Sequence, residues 1–344
     1  MGTLPKRNRP HDFYKDMEKV SLELGSGGKL MRDFIARRIV PAFRNPLLEG
    51  LADASHLPSG IALTTDSYVV DPIFFPGGDI GTLAVNGTVN DLVVSGAKPQ
   101  HLSLGLILEE GLPFPDLAKI LGSIRRASRI AGVVIATGDT KVVRRGQADK
   151  IYINTSGVGK VIASPQPRRL RPGDPIILTG TLGEHSLAVM LARHEFGLEG
   201  RVRSDCAPLT YLLPVWRMGA LWMRDVTRGG LATILDELAG ELSHALLIEE
   251  DKIPLSRTVR GASEILGIDP LYLACEGRAV VAVPADRADR ILRKIRASPL
   301  GKRAAVIGRV DDRVGRPGEL LLATVTGGLR LLEPLTSELL PRIC

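Results

Sequence analysis

Aromatic residues are scarce in this sequence, at 4% of 344 residues, although 44% of the residues are hydrophobic. A core must therefore be built mainly from Leu, Val, Ile and Ala. No segment approaches the run of about 20 apolar residues that a membrane helix needs, so we expect no membrane partner. The first ten residues are basic and have no apolar run behind them, which is not the pattern of a signal peptide.

Cysteine is also rare, and the three cysteines are Cys206, Cys275 and Cys344. An odd number without a Cys-x-x-Cys pair argues against a disulfide framework and against a zinc site, and a reducing, cytoplasmic location fits best. Cys344 stands last in the sequence. A thiol on a chain end can enter and leave a pocket and becomes a nucleophile as thiolate. Taken alone, it is also explained by a chance surface cysteine on a frayed tail.

The basic residues are scattered, although the net charge is +7. Nucleic-acid-binding proteins concentrate such charge in dense patches, often with interleaved aromatics. We therefore expect no nucleic acid, and the charge weakly favours anionic small molecules or acidic partners.

Four prolines in the twelve residues Ser164–Pro175 predict a linker, because neither a helix nor a central strand continues through them. We predict a flexible segment at 1–20, a first domain at 21–163, a second at 176–335 and a mobile tail at 336–344. Strand-like and helix-like patterns are mixed in both halves, which predicts an α+β fold in which each half is a mixed sheet packed with helices.

A glycine-rich turn, Gly25-Ser26-Gly27-Gly28, connects a predicted strand that begins at Val20 to a predicted helix, Lys29–Val40. Free backbone N–H groups at such a helix start can bind phosphate, and glycines let it approach closely. The spacing is not that of a Walker A loop. A plain flexible turn explains the same residues equally well.

Three aspartates of the first half stand beside small or apolar neighbours. Asp66 ends a predicted strand, Asp91 lies in a predicted helix, and Asp139 lies in a predicted turn after a strand. Converging carboxylates hold Mg²⁺ beside nucleotide phosphates, although a cap or turn role explains any one of them. Lys141 can neutralise a phosphate or transfer a proton, unless it is an ordinary surface lysine.

Two further stretches carry charge in unusual settings. Asp225-Val226-Thr227-Arg228-Gly229-Gly230 opens a predicted helix, where an anion or metal contact and a simple cap are both open. Glu276 lies among apolar residues before a predicted strand, so we expect a raised pKa and a role as base, with a structural Glu276–Arg278 pair as the alternative. Asn90 stands where a core helix prefers an apolar residue. No role is assigned to the histidines, His11, His56, His101, His185, His194 and His244.

Together these motifs resemble the HypE family of hydrogenase maturation proteins from about Val20 to the end. The glycine loop and the acids are also found in the wider superfamily of aminoimidazole ribonucleotide synthetases and selenophosphate synthetases, whereas the ending is specific. One departure is Leu24, where HypE proteins usually have a histidine. The motifs that carry the resemblance are Leu24–Lys29, Thr64–Pro72, Gly87–Leu92, Gly138–Val143, Asp225–Gly230 and Pro341-Arg342-Ile343-Cys344.

The resemblance implies a two-domain PurM-like architecture with a flexible C-terminal tail, and a carbamoyl dehydratase activity that uses ATP and Mg²⁺. A HypF-like carbamoyltransferase would load a carbamoyl group onto Cys344. ATP-dependent dehydration would leave a thiocyanate, whose cyanide passes to iron on a HypC–HypD complex. A homodimer formed through the first domains is also implied.

The same resemblance implies a role for each candidate residue. Cys344 would carry the substrate, with Glu276 and Lys141 taking protons, and Asp66, Asp91 and Asp139 would hold Mg²⁺. Two rival interpretations remain: another ATP-dependent enzyme of the superfamily, and a scaffold whose partner affinity is switched by nucleotide. The residues expected to contact ATP are Gly25, Ser26, Gly27, Gly28, Lys29, Asn90, Asp225 and Arg228.

Overall fold

The structure, a computed structural model, describes residues 19–25, 28–48, 50–193, 202–335 and 343. Within these stretches no helix is long and apolar enough to cross a membrane.

The first half consists of one helix ahead of a sheet, followed by two longer helices that alternate with the strands. In chain order its elements are α1 (Lys29–Phe34), β1 (Ser55–His56), β2 (Ile61–Tyr68), β3 (Phe74–Phe75), β4 (Gly78–Asp79), α2 (Ile80–Val94), β5 (Ala97–Glu109), α3 (Phe114–Ala131), β6 (Val134–Val143) and β7 (Ile151–Val161).

Five strands of the described residues form the first sheet, in the order β1-β2-β7-β5-β6. The β5–β6 pair is parallel and the other pairs are antiparallel. The register places Asp66 of β2 opposite Thr155 of β7, and Asp139 of β6 opposite Gly105 of β5. Asp66 and Asp139 therefore lie on strands separated by β7 and β5.

Helix α2 is buried on all sides, since thirteen of its fifteen residues are buried. It begins at the Asp79 cap, whose carboxylate accepts a hydrogen bond of 2.8 Å from the Thr82 backbone N–H. An all-round apolar helix packs between two layers. Here one side contacts the first sheet, and the other contacts the second half, where the Trp216 indole N–H donates to the Val93 carbonyl at 2.8 Å.

The second half contains a longer sheet with helices inserted between its strands. Its elements are β8 (Pro175–Leu178), α4 (Glu184–Arg193), α5 (Leu213–Arg217), β9 (Trp222–Asp225), α6 (Gly230–Glu241), β10 (Ala245–Glu249), α7 (Arg257–Leu266), β11 (Ala279–Ala282), α8 (Ala288–Arg296), β12 (Ala305–Asp311), β13 (Leu320–Ala323) and β14 (Leu329–Leu331).

Seven strands of the described residues form the second sheet, in the order β14-β13-β10-β12-β8-β11-β9. β10 and β13 are parallel, and the remaining neighbours are antiparallel. β9 is an edge strand. Its last residue, Asp225, therefore lies at the border of the sheet that faces α2 of the first half.

The predicted α+β class, with a mixed sheet packed with helices in each half, is confirmed. Several local predictions are wrong. The strand predicted from Val20 is a 3-10 turn at Leu22–Gly25, and none of the described strands pairs with it. The helix predicted to Val40 leaves α-helical geometry after Phe34 and continues as a π-type turn and a 3-10 turn.

Asp139 was predicted in a turn but lies inside strand β6, because residues 137–143 continue the pairing with β5. Asp66 likewise lies within β2 rather than at its end. The predicted domain limits stay predictions, and of the predicted tail only Ile343 lies in the described part of the chain.

Candidate active site

Three carboxylates from distant parts of the chain converge between the two halves. Asp53 precedes β1, Asp91 lies on α2, and Asp225 ends β9. A carboxylate oxygen from each lies within 4.8 Å of the others. The Thr64 hydroxyl lies 2.8 Å from Asp91 Oδ2 and 2.7 Å from the Asp53 carbonyl oxygen. Thr64 belongs to β2, so this strand holds Asp53 and Asp91 in place. We call Asp53, Asp91 and Asp225 the carboxylate cluster.

Burial and neighbouring carboxylates raise the pKa of every member of the cluster. Burial raises the pKa of Asp91 well above its usual value, and the charges of Asp225, Asp53 and Asp66 raise it further. The pKa of Asp225 rises to about 8 through burial and the nearby Asp53. The pKa of Asp53 is raised by burial too, although the Arg224 guanidinium opposes the shift. Protons and a divalent cation would therefore compete for the cluster.

The donor set fits Mg²⁺. That ion prefers a few carboxylate oxygens and keeps water and substrate oxygens in its other positions. Three carboxylates with raised pKa values, held together by the fold, are the groups from which a divalent cation would displace protons. One of the three, Asp53, was missed by the sequence analysis, because it sits in an irregular segment with no pattern that marks it.

A network of charged side chains supports Asp53. Arg224 donates to its carboxylate at 2.9 Å and also contacts Glu237 at 3.3 Å. Arg32 on α1 contacts the same Glu237 at 3.7 Å. The helix that follows the glycine loop is thereby linked to the carboxylate cluster.

The glycine loop is described only in part, since Ser26 and Gly27 lie outside the described residues. Gly28 is buried, and a Cβ there would lie 2.1 Å from the carbonyl oxygen of Leu335, which accepts a hydrogen bond of 3.0 Å from the Lys29 N–H. Gly25 is exposed and Leu24 is buried. Lys29 and Arg32 line a neighbouring cavity of about 580 Å³, a size typical of small-molecule sites.

Glu276 is the second functional group of the site, beside the carboxylate cluster. Its side chain is 3% exposed, and Oε1 has no hydrogen-bond partner among the described residues. Burial raises its pKa well above the usual value, with further contributions from the charges of Asp225, Asp66 and Asp205 and opposition from Arg228. The predicted raised pKa is confirmed. Arg278 instead approaches Asp205, at 3.5 Å, so the alternative of a Glu276–Arg278 pair is not supported.

The charge of Asp66 acts on both Asp91 and Glu276, and the charge of Arg228 acts on both Asp66 and Glu276. Burial raises the pKa of Asp66, and the positive charge of Arg228 is the main opposing influence. Arg228 also lowers the pKa of Glu276. A cation placed between these carboxylates favours the charged state of both.

Asn90 is buried, and its amide is bonded to the backbone of the second half. Its oxygen accepts from the Leu209 N–H at 2.8 Å, and its nitrogen donates to the carbonyls of Ala207, at 3.2 Å, and Glu276, at 3.3 Å. The structure therefore places Asn90 as a clamp that orients the Glu276 segment. Its predicted contact with ATP stays a prediction.

Asp139 and Lys141 lie away from the carboxylate cluster of the same chain. They form an ion pair of 2.9 Å on β6, and both side chains are 68% exposed. Three inter-strand steps separate this row of β6 from Asp66, or about 14 Å. Within one chain, Asp139 therefore lies too far away to share a metal ion with Asp91.

The C-terminal end enters the second half beside α4. Cys344 lies outside the described residues, but the preceding Ile343 is 7% exposed, and its carbonyl accepts a hydrogen bond of 2.9 Å from His185 Nε2. Sequence reasoning assigned no role to His185, because a lone histidine carries no ligand spacing.

Family models match both halves of the chain. Residues 52–161 match the N-terminal domain of AIR synthase related proteins, and residues 171–316 match the C-terminal domain. Thiamine monophosphate kinase from Aquifex aeolicus, 19% identical with a TM-score of 0.67, shares the fold. The fold and the site thus define a protein of the AIR-synthase-related, PurM-like class.

Relatives that match over nearly their whole length identify the family within this class. Carbamoyl dehydratase HypE of Escherichia coli K12 is 42% identical over 340 residues, which are 95% of this chain and 100% of that protein. Carbamoyl dehydratase HypE of Rhodobacter capsulatus is 45% identical over 337 residues, covering 95% and 98%. The chain belongs to the HypE family of carbamoyl dehydratases.

Solved structures agree with this assignment. A HypE–HypF complex matches with a TM-score of 0.83 at 41% identity and covers 88% of this chain and 99% of that one. Hydrogenase maturation protein HypE in complex with ATP matches with a TM-score of 0.79 at 45% identity, covering 94% and 100%.

Proposed function

We propose that this protein uses ATP to dehydrate a carbamoyl group carried on the Cys344 thiol, leaving a thiocyanate that supplies cyanide to [NiFe]-hydrogenase iron. The proposal rests on Glu276, whose carboxyl group is buried and whose Oε1 has no hydrogen-bond partner among the described residues. The charge of Asp225 in the carboxylate cluster acts on this carboxyl group. A base and a metal-binding group are thereby adjacent, as dehydration through phosphorylation requires.

The reaction divides into two balanced steps. The carboxamide oxygen attacks the γ-phosphorus of ATP, ADP leaves, and one N–H proton is lost, which gives an S-bound O-phosphoimidate. The C–O bond then breaks with loss of the second N–H proton, so that phosphate departs and a C≡N bond forms. The carboxamide oxygen is a poor leaving group by itself. Phosphorylation converts it into part of a phosphate, which leaves readily.

Different residues of this chain would bind Mg²⁺, bind the phosphates of ATP and transfer the proton. Asp53, Asp91 and Asp225, with Asp66 close by, would hold Mg²⁺, which supplies charge neutralisation of the triphosphate when bound. The glycine loop and Lys29 would contact the phosphates through free N–H groups and charge. Glu276 accepts a carboxamide proton once deprotonated, and Arg228 favours that deprotonated state.

We further propose that two copies of the chain share the site. β6 is the edge strand of the first sheet, and its exposed residues include the apolar Val134 and Val142, 60% and 71% exposed. A second copy that covers this strand would bury them. The Asp139–Lys141 pair would then complete the partner's site, which reconciles their predicted roles with their distance from the cluster of their own chain.

The protein partners follow from the chemistry. The Cys344 thiol needs a donor of the carbamoyl group, and a HypF-like carbamoyltransferase is supported by the solved HypE–HypF complex. The cyanide product needs an iron acceptor, for which we propose a HypC–HypD complex.

Mass spectrometry of the C-terminal peptide tests the function. The chain is incubated with a HypF-like carbamoyltransferase, carbamoyl phosphate, ATP and Mg²⁺. We expect Cys344 to gain one carbamoyl group and then to lose the mass of one water. Absence of the adduct, or of the later loss, contradicts the proposal. Cys344→Ala should abolish maturation, whereas full maturation by Cys344→Ala indicates a nucleotide-switched scaffold.

A further inference from the structure

The buried contact between His185 and Ile343 joins residues that are 158 positions apart. His185 lies in the first turn of α4 and is fully buried, and Ile343 directly precedes Cys344. A carbonyl oxygen only accepts hydrogen bonds, so the proton of the contact must sit on His185 Nε2.

Ser204 orients the imidazole from its other side. Its hydroxyl lies 2.8 Å from His185 Nδ1, and the same oxygen accepts from the Cys206 N–H at 3.0 Å. Burial lowers the pKa of His185, which favours the neutral ring. In that state Nδ1 accepts from Ser204 while Nε2 donates to Ile343. One tautomer therefore satisfies every partner in the group.

Apolar packing adds to the hydrogen bond. Ile343 belongs to the same buried cluster as Phe75 and Val189. The Phe75 ring meets the imidazole edge to face, with centroids 5.3 Å apart. Ile343 thus brings both an apolar side chain and a backbone acceptor into one pocket.

The pocket adjoins the segment that orients Glu276. Two residues beyond Ser204, Cys206 lies in the field of Glu276, and the next residue, Ala207, donates its N–H to the Glu276 carbonyl at 3.3 Å. Glu276 in turn donates its N–H to Asp205 at 3.2 Å. Residues 204–207 therefore contact the docked Ile343 through His185 at one end and Glu276 at the other.

We propose that His185, oriented by Ser204, is a positioning residue that docks the C-terminal tail through the Ile343 carbonyl and so sets where the following Cys344 can reach. His185 does not touch the reacting atoms. This role rests on the proposed function for its purpose, but the docking is a separate claim about the tail. It gives the fully buried histidine a role, since its Nε2–H holds the Ile343 carbonyl while Ser204 fixes the ring from the other side.

A matched pair of variants tests the role. His185→Phe keeps a ring but loses the donor, whereas His185→Gln places an amide N–H near the Nε2 position. The first readout is the rate at which iodoacetamide labels Cys344, located by peptide mass. The second is single-turnover loss of water from the carbamoylated chain, and the third is the Kd for ATP.

We expect His185→Phe to speed Cys344 labelling and to slow water loss, each by about tenfold, as removal of one buried hydrogen bond implies. The Kd for ATP should stay unchanged, and His185→Gln should restore part of both rates. A folded His185→Phe chain with labelling and turnover like the parent overturns the proposal, as does an equal loss in the Gln and Phe variants.

Ile343→Ala provides a second route if His185→Phe does not fold. It removes the apolar anchor at the chain end, and we expect the same faster labelling and slower turnover. Parent-like rates in Ile343→Ala overturn the docking. If the parent chain never carries a carbamoyl group, the proposed function fails, while the labelling rates still decide whether His185 holds the tail.

Discussion

The side-chain amide of Asn90 donates a hydrogen bond to the backbone carbonyl of Glu276 across 186 positions of the sequence. The helix that carries Asp91 and the segment that carries the proposed base are thereby fixed to each other. A misplacement of either group by about 1 Å can lower the rate by about 10²-fold.

Asn90→Ala tests this clamp. The change leaves the Leu209 N–H and the Ala207 carbonyl without their partner in a buried position. The Glu276 carbonyl keeps the Ala207 N–H but loses its link to α2. We therefore expect a loss of about 2–4 kcal/mol in the free energy of unfolding. Urea unfolding measures it. Asn45 is half-buried, and in the described part of the chain its side chain forms only local hydrogen bonds. The control Asn45→Ala should therefore change the free energy of unfolding little. Equal losses in both variants would contradict the clamp.

Asp225→Asn tests the electrostatics of the carboxylate cluster. The folded-state pKa of Asp225, about 8, lies above the usual value of 3.8. Its contribution to stability is therefore full below about pH 4 and is lost as the pH rises toward 8. In EDTA, the parent chain should lose more stability over this range than Asp225→Asn does.

Mg²⁺ at pH 8 should restore the parent chain and have little effect on Asp225→Asn, because binding to the folded state stabilises it. Urea midpoints between pH 4 and 8 measure both effects. Asp289→Asn on the exposed end of α8 is the control and should follow the parent. Identical pH profiles for the parent and Asp225→Asn would refute the raised pKa.

Glu276→Gln tests the base. The glutamine amide has the shape of the carboxylate but is not a base. The rate of single-turnover water loss should therefore fall by roughly 10²–10⁴-fold. Carbamoyl loading of Cys344 should proceed as before. In the parent chain the rate should rise with pH, since only the deprotonated carboxylate works and its pKa is raised. The exposed Glu264→Gln is the control. An unchanged rate in Glu276→Gln would assign the proton transfer to another group.

A mixture of two inactive variants tests the shared site. If Asp139 serves the partner's cluster, a dimer of one Asp91→Asn chain and one Asp139→Asn chain contains one intact site, and random mixing restores about a quarter of the sites. If Asp139 acts within its own chain, both sites of that dimer stay defective. Dehydratase activity after mixing and re-association distinguishes the two cases, with each unmixed variant as baseline.

Local patterns were informative where the residues act within one element. The sequence predicted a helix around Asn90 and Asp91, and the structure has α2 there. The same reasoning failed for Asp139, because whether a polar Thr-Gly-Asp-Thr-Lys stretch turns or continues as a strand depends on the neighbouring β5. Pairing of this kind is decided by contacts far along the chain.

The sequence by itself determined the α+β class, the family and the chemical types available: a glycine loop, scattered carboxylates, one acid in an apolar setting and a thiol at residue 344. These follow from composition and from motifs only a few residues long. Tertiary structure alone decided which carboxylates meet, since it added Asp53 to Asp91 and Asp225 and left Asp139 on an outer strand. It also brought His185 to Ile343. Such convergence depends on how two sheets pack around α2, and no local spacing records it.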